Sequence, residues 1–234
     1  MTTTAEPVPQ RREERREVVY GRRPVAEAQR GRRRVRRVWT TADLPGPELT
    51  RLAGSPDHQG VVAEVDPYPY ADPRALLERP DGLLIALDQI QDPRNLGAVC
   101  RSAEAAGAAG VVIPSRRSAS VTAVASKASA GAVEHLPVAR VPNLADWLGV
   151  AKEAGAWVYG AESGADTPYT GADLTGKVVL VLGSEGGGLR RRVAESCDLL
   201  VSIPIGGRVE SLNVSAAAAV LLFEAARQRG GANG

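Results

Sequence analysis

Between residues 82 and 230, short apolar segments alternate with Ala-rich segments of helical length, and this alternation most limits the possible folds. The apolar segments are rich in Val, Leu and Ile on consecutive positions, as in strands that are buried on both faces. Strands that alternate with helices predict an α/β fold with a mainly parallel sheet covered on both sides. The predicted strands are 83–87, 110–113, 137–141, 157–161, 178–182 and 199–203.

Helices are predicted between these strands at 95–106, 121–130, 143–154, 189–196 and 212–229. Asn95, Asn143 and Ser211 each stand at the start of one of them, where a side-chain oxygen can accept a hydrogen bond from a backbone N–H. Capping alone is therefore one explanation for Asn95 and for Ser211. The last helix is small and apolar on most sides in its first half, which predicts deep burial or packing against a second subunit.

The chain before residue 82 divides into three predicted parts. Residues 1–17 form a basic, disordered arm. Residues 18–66 form a small unit with a helix at 24–29 and strands at 35–40 and 60–65. Residues 67–81 form a proline-rich linker. The first 37 residues carry a net charge of +7 and the remainder −5, within a total of +2. A basic segment on a mildly acidic body favours an anionic partner over a merely solvated tail.

Several classes of protein are disfavoured. No segment of about 18 apolar residues predicts a membrane span, and the charged start does not resemble a secretion signal, so a cytoplasmic location is expected. Cys100 and Cys197 are predicted to be free thiols. The two histidines have no partner pattern for a hydrolase or a zinc site, so no metal is predicted.

Ligands of parallel sheets bind beyond the carboxyl ends of the strands, and three chemically rich loops occupy that position. The first contains Asn95 and Arg101, whose guanidinium either binds an anion or is solvated. The second is glycine-rich around Glu185, with neither the phosphate-loop lysine nor dinucleotide-binding spacing. Because a carboxylate repels phosphate, Glu185 disfavours a nucleotide polyphosphate. The third contains Ser211 and Asn213.

These loops, in this order, resemble the three motifs of the SpoU/TrmH family of SPOUT-class RNA 2′-O-ribose methyltransferases. The matching residues are Asn95-x-Gly97-x-x-x-Arg101, Leu182-Gly183-x-Glu185-x-x-Gly188, and Ile203-Pro204 followed by Ser211-Leu212-Asn213-Val214-Ser215. The resemblance implies the SPOUT fold over 82–230, with a C-terminal deep trefoil knot, a rare exception to normal topology. It also implies S-adenosylmethionine as cofactor and a homodimer with the final helix in the interface.

The resemblance assigns residues to roles as well. It implies catalytic or orienting roles for Arg101, Asn95, Glu185, Ser211 and Asn213. It implies cofactor contacts for Leu182, Gly183, Ile203, Ile205 and Leu212.

A weaker resemblance covers the small unit. Tyr20-Gly21-Arg22-Arg23-Pro24-Val25 and His58-Gln59-Gly60-Val61-Val62-Ala63 are similar to the start and end of an L30e-like RNA-binding domain, here shortened. It implies RNA contacts through Arg22, Arg23, His58 and Gln59, and a guanosine of 23S ribosomal RNA as the target. Transfer RNA, or a non-catalytic role in RNA binding or ribosome assembly, remain the alternatives; a nucleotide-dependent α/β enzyme is disfavoured.

Overall fold

The computed structural model describes residues 16–184 and 186–230. The predicted arm, apart from its last two residues, and Glu185 therefore lie outside the described residues. Within these ranges no helix is long and apolar enough to cross a membrane. The two cysteines are free, as predicted, and burial raises the pKa of the Cys100 thiol to about 12.

The N-terminal unit is a three-stranded antiparallel sheet with two helices. The strand order is β1-β3-β2. The elements are β1 (Glu17–Tyr20), α1 (Arg22–Arg30), β2 (Val35–Thr40), α2 (Gly46–Ala53) and β3 (Val61–Val65). Neither β1 nor α2 was predicted. Helix α2 carries Pro47 in its first turn, where proline is well tolerated. The likeness of this unit to L30e stays a prediction.

The second sheet has seven strands in the order β6-β5-β4-β9-β7-β10-β8, and every pair is parallel. Its strands are β4 (Leu83–Leu87), β5 (Gly110–Pro114), β6 (Val138–Val141), β7 (Trp157–Ala161), β8 (Thr167–Pro168), β9 (Val178–Leu182) and β10 (Leu199–Ser202). The predicted parallel α/β sheet is confirmed, with the two-residue β8 added at one edge. The trefoil knot stays a prediction.

Helices cover both faces of this sheet. The helices are α3 (Pro93–Ala105), α4 (Ala123–Ala128), α5 (Leu144–Glu153), α6 (Arg191–Glu195) and α7 (Val214–Gln228). One apolar core lies between the sheet and α3 with α7, and a second lies between the sheet and α5 with α6. Asn143 caps α5, as predicted, by accepting a hydrogen bond from the Ala145 N–H at 3.1 Å.

A buried ion pair fastens the N-terminal unit to the parallel-sheet unit. Arg33, which follows α1, is 5% exposed, and its guanidinium pairs with the carboxylate of Glu134, which is 1% exposed. The same guanidinium donates to the Ser126 hydroxyl at 3.2 Å and pairs with Glu17 at 3.1 Å. Because a buried charge is stable only with its partners, this contact holds the two units in one arrangement.

Glu134→Ala tests this contact, because it leaves Arg33 buried with only the half-exposed Glu17 as an ionic partner among the described residues. We expect the free energy of unfolding in urea to fall by about 3 kcal/mol. The control is Glu195→Ala, which removes an exposed partner of Arg191 and should cost less than about 1 kcal/mol. Equal small effects in both variants would show that the buried pair does not fasten the units.

Candidate active site

Two of the predicted polar residues meet although 118 positions separate them in the chain. The Asn213 side-chain amide donates to the side-chain oxygen of Asn95 at 3.3 Å, at the start of the packed helices α3 and α7. The Asn213 oxygen accepts from the backbone N–H and the hydroxyl of Ser215, at 2.8 and 2.6 Å. The first and third loops therefore form one polar cluster.

The helix caps differ from the prediction. The cap of α3 is Asp92, whose carboxylate accepts from the Arg94 N–H at 2.7 Å, followed by Pro93 at the first helical position. The cap of α7 is Asn213. Capping by Asn95 and by Ser211 was therefore wrong, and Asn95 lies inside the first turn of α3, where a capping role no longer explains it.

A cavity of about 660 Å³ opens at the carboxyl ends of β9, β7 and β10. All five residues predicted to contact a cofactor line it: Leu182, Gly183, Ile203, Ile205 and Leu212. Ser211 and Asn213 line it too, so the second and third loops share one cavity. Among the described lining residues there is no Lys or Arg, while Glu162 and Glu210 contribute carboxylates.

The glycine loop after β9 closes tightly on itself. A Cβ atom on Gly183 would lie 2.1 Å from the backbone carbonyl carbon and oxygen of Gly188, so only glycine fits at this crossing. The Ser184 N–H donates to the Gly188 carbonyl at 3.1 Å. Glycine is therefore required at residue 183 by the loop itself, whatever the cavity binds.

An ion pair that the sequence did not indicate anchors the end of this loop. Asp88, the first residue after β4, is 1% exposed and accepts from the Arg190 N–H at 2.9 Å. The Arg190 guanidinium pairs with the same carboxylate at 2.7 Å. Because both the backbone and the side chain of Arg190 bind Asp88, the end of the second loop is joined to the start of the first.

The sequence also missed Glu162, the first residue after β7, whose carboxylate accepts from the Leu189 N–H at 3.4 Å. Its neighbour Ser163 donates to the Glu210 carbonyl at 3.0 Å, which links this fourth loop to the third. The signal was available, because Glu162 stands at the carboxyl end of a predicted strand like the other site residues.

Arg101 lies six residues beyond Asn95 on α3, about 9 Å along the helix axis, and its side chain is exposed. Among the residues that the structure describes, none forms a hydrogen bond or ion pair with it. Its guanidinium is thus available to an anion from outside. Glu185 falls between the two described ranges, and its predicted role stays a prediction.

Gly97, the glycine of the first motif, has a packing role. A Cβ atom there would lie 2.4 Å from the Ala125 carbonyl oxygen and 2.7 Å from the Ala128 side chain. Glycine at this position therefore allows α3 to pack closely against α4, and so fixes the helix that carries Asn95 and Arg101.

The residues predicted to contact RNA occupy two kinds of position. Arg22 and Arg23 are exposed at the start of α1, and the Gln59 side chain accepts from the Arg22 N–H at 3.1 Å. His58 is 9% exposed; its ring accepts from the Gly60 N–H at 3.0 Å and lies 3.2 Å from the Thr50 hydroxyl. These bonds give the ring a role in the fold of the unit, and its contact with RNA stays a prediction.

Residues 82–223 match the family described as "SpoU rRNA Methylase family". A Mycobacterium avium (strain 104) protein described as an uncharacterised tRNA/rRNA methyltransferase is 45% identical over 95% of this chain and 81% of its own length. A relative from Mycobacterium sp. (strain KMS) with the same description is 52% identical over 80% of this chain, which spans only 61% of that relative.

Solved structures with a similar fold extend over nearly the whole chain. The SpoU methyltransferase AviRb from Streptomyces viridochromogenes, in complex with AdoMet, is 31% identical over 91% of this chain and 90% of its own, with a TM-score of 0.76. An AdoMet-bound rRNA methyltransferase from Sinorhizobium meliloti is 27% identical over 92% and 88%, with a TM-score of 0.80. An RNA 2′-O ribose methyltransferase is 26% identical over 92% and 90%, with a TM-score of 0.79.

One similar structure covers a smaller part of the chain. A TrmH/SpoU tRNA modifying enzyme from A. aeolicus is 27% identical and covers 67% of this chain and 80% of its own, with a TM-score of 0.58.

Gly183→Ala tests the tight crossing of the glycine loop, since the added methyl group meets backbone atoms that cannot move aside without opening the loop. We expect the free energy of unfolding to fall by about 1–3 kcal/mol, as in other overpacked sites. Gly206→Ala in the next loop is the matched control, because nothing lies within 4 Å of its added Cβ. A stability loss no larger than that of the control would contradict the geometry.

Proposed function

The chain belongs to the SpoU rRNA methylase family, and on this basis we propose that it methylates a ribose 2′-hydroxyl of RNA, in a guanosine of 23S ribosomal RNA. S-adenosylmethionine, which is bound in two of the similar structures, is its cofactor. The observation that carries the proposal is the meeting of the predicted cofactor residues around one cavity, beside the hydrogen-bonded Asn95 and Asn213.

The described cavity fits this cofactor better than a nucleotide polyphosphate. Its apolar walls, Leu182, Ile203, Ile205 and Leu212, suit an adenine ring and a methylene chain. Its carboxylates, on Glu162 and Glu210, favour a ligand with positive charge, and no basic side chain among the described lining residues is available for phosphate. When bound, the cofactor supplies an electrophilic methyl group on a positively charged sulfur.

The chain's own residues position the RNA. A guanidinium has N–H donors and no acceptor, so Arg101 does not serve as the base for the 2′-hydroxyl. We assign it to the phosphate next to the target ribose and to the negative charge that develops on the 2′-oxygen as its proton passes to that phosphate or to water. The fixed amides of Asn95 and Asn213, with Glu185 and Ser211, orient the ribose, so that catalysis is largely positioning.

The N-terminal unit supports ribosomal over transfer RNA. Similarity to the S. meliloti rRNA methyltransferase covers 92% of the chain and therefore includes residues of the N-terminal unit as well as the parallel-sheet unit. Similarity to the A. aeolicus tRNA enzyme covers 67% of the chain. The exposed Arg22 and Arg23 give the extra unit basic side chains for RNA phosphates. Because the buried Arg33–Glu134 pair fixes this unit, it can position an RNA segment relative to the cavity.

We also propose a homodimer that packs α7 against its counterpart. Phe223 on this helix is 54% exposed. An exposed aromatic side chain on an otherwise apolar helix is suited to an interface, where aromatic residues are enriched. Packing against a second copy buries it, as the apolar character of the helix predicted.

Arg101→Ala should lower the rate of methyl transfer to RNA by at least about 10²-fold, because it removes the stabilisation of the developing charge. Cofactor affinity, measured by calorimetry, should stay nearly unchanged, since Arg101 does not line the cavity. The control is Arg191→Ala, which removes the same charge from an exposed position. Equal losses of cofactor affinity and rate would contradict the assignment, and so would full activity.

Phe223→Glu should convert the dimer into a monomer, because it places a charge in the apolar contact. Light scattering after gel filtration measures the mass of each variant. Trp157→Ser alters a similarly exposed aromatic residue, 53% exposed, outside α7 and should leave the dimer intact. A monomeric wild-type protein, or a dimeric Phe223→Glu variant, would overturn the proposed interface.

A further inference from the structure

A second cavity, of about 290 Å³, opens at the carboxyl ends of β4, β5 and β6, beside the loop that closes the first cavity. Four arginines contribute to its walls. They are Arg116 and Arg117 from the loop after β5, and Arg190 and Arg192 at the start of α6. Neither the family resemblance nor the proposed reaction assigns a function to this cavity.

The charges around this cavity do not cancel. Arg190 is paired with Asp88, and Arg192 is paired with Asp146 at 2.6 Å. Arg116 and Arg117 are exposed and form no ion pair with any residue in the described part of the chain. The cavity therefore carries an excess of two positive charges, with guanidinium donors suited to a phosphate group.

The backbone holds these donors in an unusual conformation. Gln89 and Arg117, both in the cavity wall, have φ angles of 59° and 55°. These angles lie in the left-handed region that non-glycine residues seldom adopt. The capped start of α5 at Asn143 also faces the cavity, and its partial positive charge favours an anion. Both arginines and the start of α5 therefore line the same cavity.

The position of the cavity identifies the kind of anion. Both cavities open at the same edge of one sheet, and β5 lies three positions from β7 in the strand order. At the usual strand spacing this separation is about 14 Å. Arg190 joins the two cavities, because it lines the second and ends the glycine loop of the first. When one nucleotide of a polymeric anion lies at the first cavity, a neighbouring phosphate of the same strand can reach the second cavity.

We propose that Arg116 and Arg117 bind a backbone phosphate of the substrate RNA, a few nucleotides from the ribose presented to the cofactor cavity. This inference rests on the proposed function and adds a second anchor for the same RNA. Such a contact carries no base information itself, but it fixes the register of the strand, so that one ribose in particular reaches Asn95 and Asn213.

The test is a pair of matched double variants of the 234-residue protein, Arg116→Ala/Arg117→Ala and Arg74→Ala/Arg79→Ala. The control pair removes the same charge from exposed positions in the segment before β4, and neither residue lines either cavity. Binding of deproteinised large-subunit ribosomal RNA is measured over a series of salt concentrations. Cofactor affinity and melting temperature, measured without RNA, report on folding and on the first cavity.

We expect the Arg116/Arg117 variant to bind RNA roughly tenfold more weakly, with the slope of log K against log salt reduced by about 0.7–1 for the lost phosphate. Its cofactor affinity and melting temperature should match those of the wild type. Arg116→Lys/Arg117→Lys should restore the slope, because it keeps both charges, and the control pair should leave the slope within error of the wild type.

Two results would overturn the inference, and they are distinguishable. If the wild type binds RNA and methylates it but the Arg116/Arg117 variant behaves like the control pair, this anchor is absent while the proposed function stands. If the wild type neither binds nor methylates the RNA, the proposed function fails and the anchor fails with it.

Discussion

The parallel pairing of β4 with β9 is the constraint on which the site depends. Leu83 to Leu87 pair in register with Val178 to Leu182, and the hydrogen bonding continues one residue further, where the Asp88 N–H donates to the Leu182 carbonyl at 2.8 Å. Two loops from distant parts of the chain therefore begin side by side. The Asp88–Arg190 ion pair then joins the far end of the second loop to the start of the first. The hydrogen bond between Asn95 and Asn213 adds the third loop.

Two cavities of opposite electrostatic character result at this edge. The described walls of the larger one contain carboxylates and no basic side chain, while those of the smaller one contain four arginines. A positively charged methyl donor and a polyanionic acceptor are thus favoured in adjacent places by charge alone. The buried Arg33–Glu134 pair fixes the N-terminal unit to the parallel-sheet unit. The exposed Arg22 and Arg23 of the N-terminal unit are further basic side chains for the polyanionic acceptor.

The sequence predicted the strands better than the details of the loops. Strands at 35–40, 83–87, 157–161 and 178–182 are as predicted. The segments 83–87 and 178–182 are fully buried, and their β-branched and aliphatic residues on consecutive positions have few alternatives in a buried sheet. The caps were misplaced because two capping residues compete within a few positions: Asp92 with Asn95, and Ser211 with Asn213. The Asp88–Arg190 pair joins residues 102 positions apart, so no local pattern indicates it. Glu162 was missed although it directly follows a predicted strand. The rule that ligands bind beyond the carboxyl ends of parallel strands identified the other three loops and applied equally to this one.

In the proposed reaction, the carboxyl ends of the strands deliver a methyl group to a ribose oxygen rather than to a base. The most direct measurement is to incubate unmodified 23S ribosomal RNA with the protein and S-adenosylmethionine, and then to map backbone cleavage by alkali at every nucleotide. Cleavage by alkali requires a free 2′-hydroxyl, so we predict one new resistant position, at a guanosine. Methyl incorporation without any resistant position would place the methyl group on a base, and no incorporation would remove the proposed activity altogether.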